Sequence, residues 1–511
     1  MKSVSTEYVE SLVNFAATER ASRMGFAESQ LHGATAAFNM LQRNGVAYLA
    51  DEVGMGKTYV ALATMALLRF QNPSARILVV TPRENIQQKW KKELRNFVRN
   101  NWINVDNCVK SFGDRPVREP VTCGSVADFA ATLRYREHAD IILRATSFSV
   151  ATSDRDRRKK LKRQLLSHLP WVDRGLLSVK ERDRDEFRDA YARIFNALIP
   201  DIDLLVIDES HNFKHGFGPK VSNRNRVLGM ALGHPSCAHP DFPWYRPRVK
   251  NMLLLSATPF EYDYADIQRQ LDVFGKANLK LRKPNSSEIY TSKTLLDGDE
   301  SEKRAVARKL LIRRTQYIKI GDRQLSKNQY RRDWREGGYE QHDKPIVLSD
   351  PKERLVVGLM QKKVAEVLGD EKFNNSFQIG MLSSFESFME SLSRKKKKDE
   401  NSDSDESVFD GDQDATLDEK QGVDTEALNQ MVRSYKERFG QKLPHPKLDA
   451  TANSLANAFT SGNKSLVFVR RVATVGELKS KLEFHYDRWL LRKLLVGLPD
   501  HSERILSLIH I

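Results

Sequence analysis

Leu49-Ala50-Asp51-Glu52-Val53-Gly54-Met55-Gly56-Lys57-Thr58 decides how this chain folds. It continues from a short apolar run, Val46 to Leu49, and opens a stretch of good helix formers, Thr58 to Arg69. Strand, glycine-rich turn and helix in that order are the context of a phosphate-binding loop. Gly54 and Gly56 lack a Cβ, so backbone N–H groups can close around phosphate oxygens at the positive end of the helix. Lys57 then reaches the β- and γ-phosphates, and the Thr58 hydroxyl takes Mg²⁺. The segment Asp51, Glu52, Val53, Gly54, Met55, Gly56, Lys57, Thr58 therefore predicts a site for ATP and Mg²⁺. One position departs from the generic loop, which has glycine five residues before Gly56 where this chain has Asp51.

Outward from the loop, similar apolar runs recur: Ile77 to Val80, Asp140 to Leu143, Leu204 to Ile207, Met252 to Leu255 and, much later, Leu466 to Val469. Short runs without polar alternation are the pattern of strands buried on both faces. Together with Val46 to Leu49, the first four predict one parallel α/β sheet wound with crossover helices such as Thr58 to Arg69 and Glu84 to Phe97. Directly after Leu204 to Ile207 stand Asp208, Glu209, Ser210 and His211, 208 − 57 = 151 residues beyond the loop lysine. Carboxylates at the C-terminal end of such a strand face the ligand crevice. Asp208 suits Mg²⁺ and Glu209 suits a general base for the attacking water. By itself an acidic pair after a strand serves equally to cap a helix.

With these residues in place, the chain resembles the Swi/Snf DNA translocases of the superfamily-two helicases, whose phosphate loop has the form DE-x-G-x-GKT. Asp208-Glu209-Ser210-His211 looks like the family's DEAH-like second motif. Thr81-Pro82 resembles the motif that touches the nucleic-acid backbone. Ser256-Ala257-Thr258-Pro259 resembles the motif that couples nucleotide to the tracked strand, with His211, Ser256 and Thr258 in coupling roles. Leu311-Ile312-Arg313-Arg314-Thr315 is similar to the family's LLRRT segment, and Gln30 stands where an adenine-reading glutamine precedes the loop, although a helix-capping glutamine fits there as well. The resemblance spans most of Gln30 to Thr315 and restarts near His445-Pro446-Lys447-Leu448. It implies two RecA-like lobes, ATP with Mg²⁺, and tracking of double-stranded DNA through sequence-independent backbone contacts. An RNA or single-strand helicase, or a nucleotide-gated subunit of a defence or restriction assembly, is the alternative, and protein partners in a defence or transcription complex are expected in addition to DNA.

Composition agrees with a polyanionic partner. Eighty-three Lys and Arg against 67 Asp and Glu give a net charge of +16, the balance of a nucleic-acid binder or of a lysine-rich solvated surface. Three cysteines, Cys108, Cys123 and Cys237, do not make a disulfide framework. No apolar run approaches the roughly 18 residues of a membrane span, so a cytoplasmic protein without membrane partners is expected, nucleoid-associated if bacterial.

The expected organisation is an N-terminal helical region over 1–45, a RecA-like lobe over 46–320 with a charged helical insertion at about 150–200, and a helical inter-lobe region over 321–393. A disordered linker over 394–425 follows, then a partial second lobe over 426–505. The linker expectation rests on the basic run Arg394 to Lys398 followed by ten acidic residues in Asp399 to Glu419. In the second lobe, Leu448 to Phe459 predicts a helix, Lys464 to Val469 a buried strand and Glu477 to Leu482 a helix. Leu506 to Ile511 looks like an in-frame translation of a transposase adapter, and the later second-lobe motifs, including an arginine finger, are missing. A chain truncated within that lobe, binding MgATP but hydrolysing it weakly, is therefore expected. His234, Cys237 and His239 fit a proline-rich loop better than a zinc site. Trp244, Tyr245, Arg246 and Arg248 suit either a stacked strand or packing on their own lobe.

Overall fold

The computed structural model describes residues 3–19, 26–135, 140–150, 155–178, 183–218, 222–260, 263–282, 289–314, 317–320, 323–326, 446–467 and 472–501, with isolated residues between 351 and 438. Most of the expected inter-lobe region, all of the charged linker and the 506–511 tail lie outside the described residues. Two compact units divide the chain, 1–338 and 339–511.

The first unit is an α/β fold of RecA-like order. Its sheet has seven strands: β1 (Val46–Leu49), β2 (Ile77–Thr81), β3 (Pro120–Cys123), β4 (Asp140–Arg144), β5 (Ile202–Asp208), β6 (Val249–Leu255) and β7 (Leu311–Ile312). They lie in the order β7-β1-β6-β5-β2-β4-β3 with every pairing parallel. All five apolar runs of the first lobe form strands at or within a few residues of their expected bounds. The two additional strands are the edges: β3 begins with Pro120, tolerated where no ladder N–H is needed, and β7 has only two residues, too few to show a period.

Helices cover both faces, which is why the strands need no polar alternation. The first two are α1 (Thr6–Glu10) and α2 (Ala27–Asn44). They share one core with β1 through Val9, Leu31, Phe38 and Leu41, so 3–45 is part of this lobe. Helix α2 ends at Gly45, whose φ of 68° is left-handed and whose N–H bonds Leu41 O, turning the chain straight into β1. Helix α3 (Lys57–Gln71) is buried continuously from Val60 to Arg69, whereas α4 (Glu84–Asn100) buries a stripe of Gln87, Trp90, Leu94, Phe97 and Val98.

The insertion departs from its expectation in its second half. Helix α5 (Val126–Tyr135) precedes it, and α6 (Arg155–His168) buries only Leu165 among its charges. By contrast α7 (Arg184–Asn196) buries Phe187, Tyr191, Ile194 and Phe195 and packs beside α8 (Asn223–Ala231). The apolar stripe at helical spacing is hidden in sequence by the arginines and aspartates between its members. Helices α9 (Ala265–Val273) and α10 (Glu300–Leu310) complete the lobe, and α10 starts on a capping box between Asp299 and Glu302.

In the second unit, α11 (Pro446–Thr460) and α12 (Val472–Gly497) pack through Leu448, Ala452 and Leu478. Both expected helices lie within them. The expected buried strand is corrected: residues 464–467 have no regular structure and Leu466 is 79% exposed. Among the described residues of this unit there is no strand to pair with, and an unpaired strand leaves its ladder groups unsatisfied.

Candidate nucleotide site

Parallel register assembles the site. Leu49 is paired with Leu255 on one side and Ile312 on the other, Leu255 with Asp208, and Ile207 with Val80. The residues that follow these positions therefore leave the sheet at one level, along its C-terminal edge. That places the phosphate loop, Ser256, Asp208-Glu209, Arg314 and Thr81-Pro82 together although they span most of the lobe's sequence.

Gly54 and Gly56 take φ of 91° and 79°, the left-handed region that glycine enters without strain. A Cβ at Gly56 would also lie 2.1 Å from Gln30 Nε2, so a substitution there would displace that side chain. Gln30 reaches over from α2 and donates to Met55 O at 3.2 Å, which puts it against the loop itself. Lys57 begins α3 and its Nζ donates to Asp51 O at 2.9 Å and Glu52 O at 3.2 Å. Burial pulls its pKa down, opposed by the charges of Glu209, Asp51, Asp208 and Glu52. Thr58 follows in the first turn, half-buried, while Val53 and Gly54 form the exposed lip of the loop.

Asp51, the departure from the generic loop, has its carboxylate committed elsewhere. Arg314 donates to Oδ1 from its main-chain N at 2.9 Å and from Nε at 3.0 Å, and its Nη2 bonds Oδ2. Nη1 donates to Ser29 Oγ at 3.0 Å, and a Cβ at Gly33 would strike the guanidinium. Asp51 thus gives the loop its carbonyl, and its side chain fastens loop, α2 and the segment after β7 to one another.

At the end of β5, Asp208 and Glu209 are pushed in opposite directions. Burial raises the Asp208 pKa, opposed by a hydrogen bond from Trp90 and raised further by the charge of Glu209. The hydrogen bond from His211 holds Glu209 below its ordinary value, against desolvation, with help from Lys57 and Lys89. Glu209 sits at φ 50°, in the left-handed region uncommon outside glycine. His211 Nδ1 lies 3.3 Å from Glu209 Oε2 and 2.9 Å from Ser256 Oγ, and Ser256 Oγ accepts the Thr258 N–H at 3.1 Å. The three coupling residues expected from the sequence are thereby one connected chain.

A second network lies beneath, and the sequence reading missed it. Ser210 donates to the Tyr48 hydroxyl at 2.7 Å, Tyr48 to Gln270 Oε1 at 2.8 Å, and Gln270 Nε2 to Pro259 O at 2.8 Å. Tyr48, Ser210 and Gln270 are fully buried, and burial raises the Tyr48 pKa. The available signal was a phenol in a strand with no exposed face, since a buried hydroxyl requires a partner.

Thr81 and Pro82, expected to touch a nucleic-acid backbone, lie at the same sheet edge. Both are buried, and the Thr81 hydroxyl donates to Leu143 O at 3.4 Å. Exposed residues begin at Arg83 and Glu84. The aromatic-basic stretch is packed on its own lobe: Trp244 Nε1 donates to Arg193 O at 3.3 Å, Tyr245 to His234 O at 3.1 Å, and Arg248 Nε to Asn196 Oδ1 at 3.3 Å. His234 stacks on Phe217 with ring centroids 3.8 Å apart.

Residues 23–231 match the family described as Type III restriction enzyme, res subunit, over less than half of the chain. The matched residues all lie in the first unit. A comparison with curated proteins gives no match. Among solved structures, the chain is similar to the Sulfolobus solfataricus SWI2/SNF2 ATPase core in complex with dsDNA at 14% identity and a TM-score of 0.29, over 70% of this chain and 57% of that one. It is similar at 14% identity to the Sulfolobus solfataricus SWI2/SNF2 ATPase core domain, with a TM-score of 0.30, over 70% of this chain and 56% of that one. The chain thus spans less than two thirds of those structures. No helix among the described residues is long and apolar enough to cross a membrane.

Proposed function

We propose that this chain is an ATP-dependent translocase of Swi/Snf type that tracks double-stranded DNA in the cytoplasm and remodels protein bound to it. The observation that carries the reading is the common level at which Lys57-Thr58, Asp208-Glu209 and Ser256 leave the sheet, with His211 bridging the last two. Thr58 and Asp208 supply hard oxygen donors in the small number that Mg²⁺ takes from protein when phosphates complete its shell. Bound there, Mg²⁺ neutralises charge on the β- and γ-phosphates. Lys57 holds the same phosphates, Gln30 faces the nucleotide from α2, and Glu209, kept ionised by His211, accepts the proton of an attacking water.

Coupling runs through His211, Ser256 and Thr258. Nucleotide-dependent movement of Glu209 is felt at the segment after β6 by way of their hydrogen bonds. The net charge of +16 favours the phosphate backbone of a duplex, with little regard to base sequence. The family match favours one second reading, a nucleotide-gated subunit of a restriction or defence assembly whose partners supply the chemistry.

Affinities for a fluorescent blunt duplex, a DNA single strand and an RNA, each measured with and without Mg²⁺ and a non-hydrolysable ATP analogue, separate these readings. A coupled system must show nucleotide-dependent DNA affinity, and DNA-dependent nucleotide affinity by the same factor. Coupling to duplex supports the translocase, and coupling to RNA or single strands in its place selects a helicase. Nucleotide binding without coupling to any nucleic acid selects the gated subunit.

A further inference from the structure

Trp90 touches the site although the chemistry assigned above does not use it. Its Nε1–H donates to Asp208 Oδ2 at 2.7 Å, while Asp208 Oδ1 accepts the Glu209 N–H at 3.0 Å. An indole N–H can only donate, so this bond favours the ionised carboxylate. Each carboxylate oxygen keeps a lone pair, and the two donors together fix the plane in which those lone pairs lie.

The indole is itself held firmly. Trp90 is 1% exposed on the buried stripe of α4, and one turn earlier Gln87 Nε2 donates to Cys123 O at 2.9 Å and Ile142 O at 2.6 Å. These bonds anchor α4 to β3 and β4. The same helix starts directly behind Thr81-Pro82-Arg83, where the chain first becomes exposed beside the sheet edge.

We propose that Trp90 is a positioning residue for Asp208, aiming its carboxylate at Mg²⁺ and tying the metal-nucleotide site to α4 and the Arg83 corner. This rests on the reading of Asp208 as the Mg²⁺ ligand. Donors of this kind behind a metal-binding carboxylate typically contribute about 10- to 100-fold to metal affinity.

The test is a Mg²⁺ titration of nucleotide binding, followed with a fluorescent ATP analogue in the wild type, Trp90→Phe and Trp102→Phe. Trp102 is a matched control, since it is also 1% exposed and donates from Nε1 to a carboxylate, Asp106 Oδ2, at 2.6 Å. In Trp90→Phe the Mg²⁺ concentration at half-effect is expected to rise about 10- to 100-fold, with Mg²⁺-free nucleotide binding unchanged and Trp102→Phe like the wild type. Intrinsic fluorescence lost with Trp90 is expected to be the component that responds to Mg²⁺-nucleotide. If Trp90→Phe does not fold, β-(3-benzothienyl)alanine at position 90 removes the N–H and keeps the bicyclic ring. An unchanged Mg²⁺ dependence in a folded donor-free variant overturns the proposal. Absence of any Mg²⁺-dependent binding in the wild type overturns the reading of the site itself.

Discussion

Asp51 and Arg314, 263 residues apart, form a buried clamp at the root of the phosphate loop: Asp51 is fully buried and accepts from both the main chain and the guanidinium of Arg314. The generic loop has no use for a carboxylate here, and the clamp gives its reason. It holds the first residue of the loop against the segment that follows β7.

Removing one side of the clamp strands the other. Arg314→Ala is expected to cost about 3 kcal/mol, the lower end for a broken buried pair, because Arg314 keeps 20% side-chain exposure. Asp51→Met with Arg314→Met should recover part of that loss, since no charge is then left buried. Thermal or denaturant unfolding of the single and double variants measures both, and additive losses would show that the two residues are not coupled.

How much of this was legible in the sequence depends on the range of the cause. The phosphate loop, the strands around it and His211, Ser256 and Thr258 were legible because each is a local pattern whose partner lies at a fixed strand end. Asp51 was visible as an anomaly, but its partner Arg314 is brought near only by the two-residue edge strand β7. Trp90 and Tyr48 carry no motif, and their roles follow from register between strands and helices far apart in the chain. Thr81 matched a motif, but its burial was not legible, because sequence does not show that β2 is covered on both faces as far as its last residue. The strand expected at Leu466 shared the apolar signature of the others and has no strand beside it among the described residues.

The Tyr48 network predicts a stability effect distinct from nucleotide binding. Tyr48→Phe leaves Gln270 Oε1 and the Ser210 hydroxyl buried without their partners, expected to cost about 1–3 kcal/mol. Calorimetric unfolding measures this. A variant as stable as the wild type would show that the network is not structural.

Glu209 is predicted to govern turnover and leave affinity alone. Glu209→Gln should bind MgATP as the wild type does while hydrolysis falls about 10²-fold or more. Because His211 holds the Glu209 pKa down, the carboxylate stays ionised as pH falls and turnover is lost only below that depressed value. His211→Ala removes the cause, so the acid limb of the pH–rate profile should move to higher pH. A limb that stays in place would assign the titration to another group.

DNA affinity should be electrostatic and blind to sequence. Between about 50 and 200 mM salt it is expected to fall steeply for every duplex tested. Fluorescence anisotropy with two unrelated duplexes measures it, and a flat salt dependence or a strong preference for one site would contradict backbone recognition.

The most direct measurement is calorimetric binding of ATP with Mg²⁺ to the wild type and to Lys57→Ala. A nucleotide site built on the loop predicts saturable binding by the wild type that is weakened at least about tenfold in the variant, roughly 1.4 kcal/mol from the loss of a phosphate contact. Equal affinity in the two proteins, or no binding by a folded wild type, would contradict it.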